Sequence, residues 1–231
     1  PELKTTIAKR KIAKFIELSD ENINQKVEII MDHFISHDIM AELGAQGKAM
    51  IVTSGREAAV KYQLAFQKYF KDHSITSIGT LIAFSGKVDY QGSEYTESQM
   101  NQVKEDYLKD HFDTEDYQIL IVANKYQTGF DQPKLCAMYV DKKLDGVLAV
   151  QALSRLNRAA PKYSKKTEDL FVLDFFNKIE DIKASFDPFY TSTSLKEETD
   201  INVLHELKVV LDDSGIYERI EVDEFFDSYF K

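Results

Sequence analysis

Tyr117–Pro133 reads YQILIVANKYQTGFDQP, and Lys48–Tyr62 reads KAMIVTSGREAAVKY. Each joins a short, almost wholly apolar run to a glycine-bearing turn. A strand with one wet face alternates apolar and polar residues. A run that is apolar at nearly every position suits a strand buried on both faces, as in a parallel sheet. Five such runs occur: Lys48–Thr53, Ile78–Phe84, Tyr117–Ala123, Leu135–Val140 and Leu170–Phe175. Helical patterns lie between most of them. Glu57–Phe70 repeats apolar residues at helical spacing, Glu97–His111 follows Thr96, and Gly146–Ala160 runs from Asp145 to Pro161. Alternating strands and helices predict an α/β fold with an open parallel sheet flanked by helices.

Local signals agree. Ser54 with Glu57, and Thr96 with Gln99, have capping-box spacing, and Asp145 is a good N-cap. Asn22–Met40 predicts an amphipathic lead-in helix. Ile179–Phe186, Asn202–Leu211 and Val222–Phe230 predict helices beyond the sheet. The expected organisation is a helical lead-in over 1–44, the α/β core over 45–178, and the start of an acidic helical region over 179–231.

The 231 residues, 43% hydrophobic and 29% charged, give room for one large domain with an extension and exclude a disordered composition. No apolar run approaches the ~20 residues of a membrane span, so no membrane partner is expected. The basic start lacks the apolar stretch of a secretory signal. A chain opening at Pro1 without Met reads as a piece of a longer protein. The single cysteine, Cys136, makes an internal disulfide impossible and favours the cytoplasm. His33 and His37, four apart, lack the further ligands a zinc site needs, which favours packing or surface roles and predicts no metal site.

The net charge of −10 is unevenly spread. Residues 167–231 hold 17 acids against 6 bases, whereas 1–166 hold 22 against 23. The stretch 142–166 has five Lys and two Arg against one Asp. Screening limits distant charges, so a local basic stripe can hold phosphates on an acidic molecule.

In open parallel sheets, ligands gather at the loops after the strands' carboxyl ends. After the first run comes Thr53-Ser54-Gly55-Arg56, where Ser54 either caps the next helix or helps hold a phosphate at its N-terminus. After the second comes Ser85-Gly86-Lys87, and after the third Thr128-Gly129-Phe130-Asp131. Gln151, Arg155 and Arg158 stand at i, i+4 and i+7, which predicts one helix face. That array is either a solvated arginine face or a set of planar donors for phosphate oxygens. Neither Gly44–Lys48 nor Ser85-Gly86-Lys87 has the spacing of a phosphate-binding Walker loop.

The order of these motifs resembles the second RecA-like domain of superfamily two helicases and translocases. TSGREAAV, QTGFDQP and QALSRLNR stand where motifs IV, V and VI stand. The spelling is closer still to one branch. KAMIVTSGREAAVKY, YQILIVANKYQTGFDQP, MYVDKKLDGVLAVQALSRLNR and FVLDFFN are similar to the restriction (motor, R) subunit of type I restriction-modification enzymes, as is the lead-in INQKVEIIMDHF. Ser154 and Thr128 depart from the residues the wider superfamily often carries there and suit the type I branch.

The resemblance implies an ATP-dependent, DNA-translocating restriction endonuclease, with this chain supplying the arginine-finger half of the ATP site. Arg155 and Arg158 would face the γ-phosphate, with Arg158 as the finger. Gln151, Gly129 and Asp131 would line the nucleotide. Thr53, Ser54, Arg56, Ser85, Gly86, Lys87 and Thr128 would follow the DNA backbone. ATP and Mg2+ would be held mostly by a first RecA-like domain absent from this chain, so neither is expected on the chain alone. The implied partners are double-stranded DNA, that first domain in cis, and the modification and specificity subunits. The alternatives are another helicase or remodeller, or a stand-alone α/β interaction domain. A small-molecule enzyme ranks last, since no nucleophile–base set is visible.

Overall fold

The structure is a computed structural model that describes residues 12–37, 39–126 and 130–193. The chain divides into two compact units, 1–186 and 187–231. The first holds a five-stranded parallel sheet of β1 (Lys48–Thr53), β2 (Thr80–Ala83), β5 (Ile119–Val122), β6 (Leu135–Asp141) and β7 (Phe171–Asp174). The spatial order is β2-β5-β1-β6-β7. All five predicted strands are present, and every residue of β1, β5 and β6 is buried.

The two faces of the sheet follow the two-residue repeat of the strands. On one face Ala49 and Ile51, Ile119 and Ile121, Ala137 and Tyr139 meet α1 (Asp20–Ser36) and α2 (Arg56–Asp72). Helix α1 contributes Ile23, Val27, Ile30, Met31 and Phe34, so the lead-in helix is part of the sheet's own core. On the other face Met50 and Val52, Leu120 and Val122, Met138 and Val140 meet α4 (Leu108–Asp113) and α5 (Gly146–Leu153). A short α3 (Glu97–Asn101) lies along the outer edge of β2. Asn101 donates its amide to the carbonyl of Ile82 at 2.7 Å and accepts from the Ile82 N–H at 2.9 Å. Those bonds satisfy backbone groups on an edge that would otherwise be open to pairing. Helix α6 (Ile179–Thr193) follows β7.

Four local expectations change. Ser54 is not the cap of α2: Gly55 holds that position in extended geometry, with no side-chain cap bond. Asp145 does occupy the N-cap of α5, but its carboxylate pairs with Lys143 at 3.1 Å and makes no capping bond. Thr96 caps α3 as expected, yet the helix stops at Asn101, where Gln102 turns left-handed at φ 55°, and resumes at α4. Helix α5 ends at Leu153. The next N–H groups, of Arg155, Leu156 and Asn157, bond to carbonyls three residues back, which winds the chain into tight turns.

The sequence reading also lacked a hairpin, β3 (Lys87–Tyr90) with β4 (Ser93–Thr96). Its turn is Gln91-Gly92, both at positive φ (50° and 77°), as a two-residue hairpin loop of the right twist requires. The predicted helices Asn202–Leu211 and Val222–Phe230 lie outside the described residues. Among the described residues no helix is long and apolar enough to cross a membrane.

Candidate functional site

Because the strands are parallel, the carboxyl ends of β1, β2, β5 and β6 share one edge of the sheet. After β1, Thr53 is fully buried. Its hydroxyl donates to the carbonyl of Val122 at 3.0 Å, with the carbonyl of Gly55 at 3.2 Å. That commits its hydroxyl proton to the fold. Ser54 is exposed. Arg56, the first residue of α2, donates from Nη1 to the carbonyl of Ser85 at 3.2 Å, joining the loops after β1 and β2. Gly86 sits at φ +78°, a left-handed conformation that favours glycine, and a Cβ there would lie 3.1 Å from Arg56 Nη1. Lys87 is exposed and pairs with Glu94 across the hairpin at 2.8 Å. Lys14, Ser54, Gly55, Arg56, Lys87 and Asp89 border an open cavity of about 430 Å³.

After β5, Asn124 and Tyr126 turn left-handed, at φ 58° and 61°. Thr128 and Gly129 lie outside the described residues. The chain returns at Phe130, whose buried ring stands 4.7 Å from that of Tyr126 and 6.2 Å from that of Phe112. Asp131 follows, exposed.

The two arginines and Gln151 do not form one helix face, because α5 ends between Gln151 and Arg155. Arg155 is 6% exposed and donates from Nη1 to the carbonyl of Phe130 at 2.9 Å. Burial, then the nearby Arg158 guanidinium, lower its pKa. Arg158 is exposed, and its Nε stands 3.6 Å from the Asp131 carboxylate. That is an ion pair too long for a hydrogen bond. Gln151 is exposed on α5.

Several polar residues at this edge escaped the sequence reading. Asp141, at the end of β6, is buried and accepts from Lys26 Nζ at 2.6 Å and from the Tyr62 hydroxyl at 2.8 Å, tying α1 and α2 to the sheet. Burial first, then the Asp141 carboxylate, pushes the Tyr62 phenol far up, so it remains a donor. Glu97 is 2% exposed and accepts from the Phe84 N–H at 2.8 Å, while Lys125 Nζ lies 2.9 Å from each of its oxygens. Lys125 also pairs with Glu105. A sequence shows neither contact, since 28 positions separate Glu97 from Lys125.

His33 and His37 pack their rings at 4.1 Å, and His33 Nδ1 lies 3.0 Å from the Tyr139 hydroxyl. No group of three metal-ligating side chains occurs among the described residues.

Residues 87–173 match the family model of type I restriction enzyme subunit R domain 3. The chain is 29% identical over 166 residues to a Methanocaldococcus jannaschii protein assigned as the MjaVIIP endonuclease subunit of a type I restriction enzyme. The match covers 64% of this chain and 15% of that protein. It is 27% identical over 174 residues to the type I restriction enzyme HindI endonuclease subunit of Haemophilus influenzae, covering 72% of this chain and 16% of that one. The chain thus spans about one sixth of the length of these curated relatives. Among solved structures it aligns with the C-terminal part of the Fun30 ATPase domain at 13% identity and a TM-score of 0.43, over 70% of this chain and 44% of that one.

Proposed function

Since this chain is a relative of the endonuclease (R) subunits of type I restriction enzymes, we propose that it is the second RecA-like motor domain of an ATP-dependent, DNA-translocating restriction endonuclease. One observation carries the reading beyond kinship. Arg158 lies within the matched segment, at the strand-end edge, with its guanidinium in solvent and only a 3.6 Å ion pair to Asp131. An arginine held so lightly can exchange Asp131 for phosphate oxygens at little cost.

In this proposal Arg158 is the finger that meets the γ-phosphate of ATP presented by the first motor domain. ATP, when bound, supplies the phosphoryl transfer that drives movement. Arg158 stabilises the negative charge that develops, an effect worth ~10³–10⁵ in rate. Asp131 holds the finger between cycles. Gln151, exposed two residues before the end of α5, completes the nucleotide-facing set, and Gly129 belongs to the loop after β5 by resemblance. Arg155 is placed differently: its bond to the Phe130 carbonyl makes it a support for that loop. Mg2+ is assigned to the first motor domain, whose acids this chain does not supply.

Ser54, Arg56, Ser85, Gly86 and Lys87 follow the phosphates of double-stranded DNA, with Thr128 beside them by resemblance. The modification and specificity subunits complete the enzyme. The test is ATP turnover by the longer R subunit that contains this chain. Hydrolysis stimulated by duplex DNA and lost in Arg158→Ala supports the reading. Hydrolysis indifferent to both rejects it.

A further inference from the structure

The loops after β2 and β5 are separate in sequence, and the proposal gives them different tasks, one toward DNA and one toward the nucleotide. One buried ion pair joins them. Helix α3 is fastened to the edge of β2 through Asn101 and Ile82, which sets Glu97 at the carboxyl end of that strand. There Glu97 accepts from the Phe84 N–H, the residue before Ser85. Both its oxygens also receive Lys125, the third residue after β5. The Glu97 side chain is 3% exposed and that of Lys125 14%. Lys125 lies between two residues in the left-handed region, Asn124 and Tyr126, a conformation that asparagine tolerates and tyrosine rarely adopts.

The contacts continue in both directions. Arg56 donates to the Ser85 carbonyl, one residue beyond Phe84. Past residues 127–129, Phe130 is buried and its carbonyl is held by Arg155. A buried ion pair seldom adds net stability over an apolar pair of similar volume, because both charges lose water. What it imposes is a fixed mutual position, since Glu97 without Lys125 would be a buried charge with no cation beside it, and Lys125 without Glu97 would keep only the exposed Glu105. Burial raises the Glu97 pKa despite Lys125 and the Phe84 amide. Burial lowers that of Lys125, but the bonds to Glu105 and Glu97 outweigh it and the net direction is up.

We propose that Glu97 and Lys125 are positioning residues that lock the loop after β2 and the loop after β5 into one unit, so that DNA engagement at the first sets the geometry of the nucleotide-facing residues in the second. This rests on the motor reading above. Neither residue touches DNA or nucleotide in the proposal.

The experiment measures ATP hydrolysis by the longer R subunit, with and without duplex DNA, for wild type, Glu97→Gln, Lys125→Met and Lys125→Arg. Glu97→Gln keeps an acceptor for the Phe84 N–H and the shape of the side chain, so it tests the charge without emptying the site. The expected result for Glu97→Gln and Lys125→Met is a tenfold or greater fall in the ratio of DNA-stimulated to basal kcat, with KM for ATP within about twofold of wild type. Lys125→Arg, which keeps the charge, restores most of the ratio. Should Lys125→Met not fold, Glu97→Gln and Lys125→Arg still decide the matter. An unchanged ratio in Glu97→Gln overturns the proposal. So does an equal fall in basal and stimulated kcat, the mark of a merely structural pair. A wild-type R subunit that DNA does not stimulate overturns the motor reading itself, and this inference with it.

Discussion

Arg155 Nη1 donates to the backbone carbonyl of Phe130 at 2.9 Å, inside the protein, while Arg158, three residues on, extends into solvent beside Asp131. Two arginines that look equivalent in QALSRLNR therefore have different physical surroundings. One closes a buried hydrogen bond, and the other is a nearly free cation.

That difference sets a stability contrast. Arg155→Ala strands a buried carbonyl and removes packed side-chain volume, at a cost of about 1–3 kcal/mol. Arg158→Ala should stay within about 0.5 kcal/mol, as exposed substitutions do. Urea unfolding of the 231-residue chain measures both. Equal shifts would contradict the assignment of Arg155 as a support.

A second contrast concerns salt. If the edge formed by Arg56, Gly86 and Lys87 follows a phosphate backbone, DNA binding weakens as salt rises, and each neutralised phosphate contributes about 0.9 to the slope of log affinity against log salt. Arg56→Ala should therefore lower the slope of the R subunit by about 0.9 without changing sequence preference. Lys87→Ala should lower it similarly, because an exposed pair with Glu94 is weak enough to exchange for a phosphate. Fluorescence anisotropy across a salt series reads both slopes. Slopes equal to wild type would remove these loops from the DNA track.

Acid should weaken the junction of α1 with the sheet. Burial first, then the His37 charge, lowers the His33 pKa below its ordinary 6.5 in the folded state. Between the folded and unfolded values the unfolded chain binds more protons, so stability rises with pH there. The contribution is fully present above about pH 6.5 and is lost as pH falls through the folded value. His33→Asn, which has no titrating ring, should lose less stability than wild type between pH 7.5 and pH 5.5. Identical losses in chemical unfolding at the two pH values would show that His33 is not responsible.

The sheet was legible because uninterrupted apolar runs such as Ile119–Val122 have few other uses in a chain of this composition. The hairpin at Lys87–Thr96 was not, since its residues are short, polar and largely exposed, and only Gln91-Gly92 hints at the turn. The extent of α5 was misread because Gln151-Ala-Leu-Ser-Arg-Leu-Asn-Arg158 keeps a helical pattern past Leu153. There the backbone bonds shift to carbonyls three residues back, and Arg155 reaches the Phe130 carbonyl through its side chain. Ser54 illustrates the same limit: capping-box spacing was present, but the chain enters α2 through an extended Gly55. The ion pairs of Glu97 and Asp141 had no local signal, because each depends on strands brought together by the fold.

Single-turnover ATP hydrolysis by the DNA-bound R subunit tests most directly whether Arg158 acts on the γ-phosphate. Arg158→Ala should slow the chemical step by ~10³ or more while ATP binding changes far less, because the interaction belongs to the transition state. Arg158→Lys should recover little, since a point charge does not reproduce the planar fork. DNA movement should fail in step with hydrolysis. An Arg158→Ala enzyme that hydrolyses ATP and moves DNA at the wild-type rate would contradict the account.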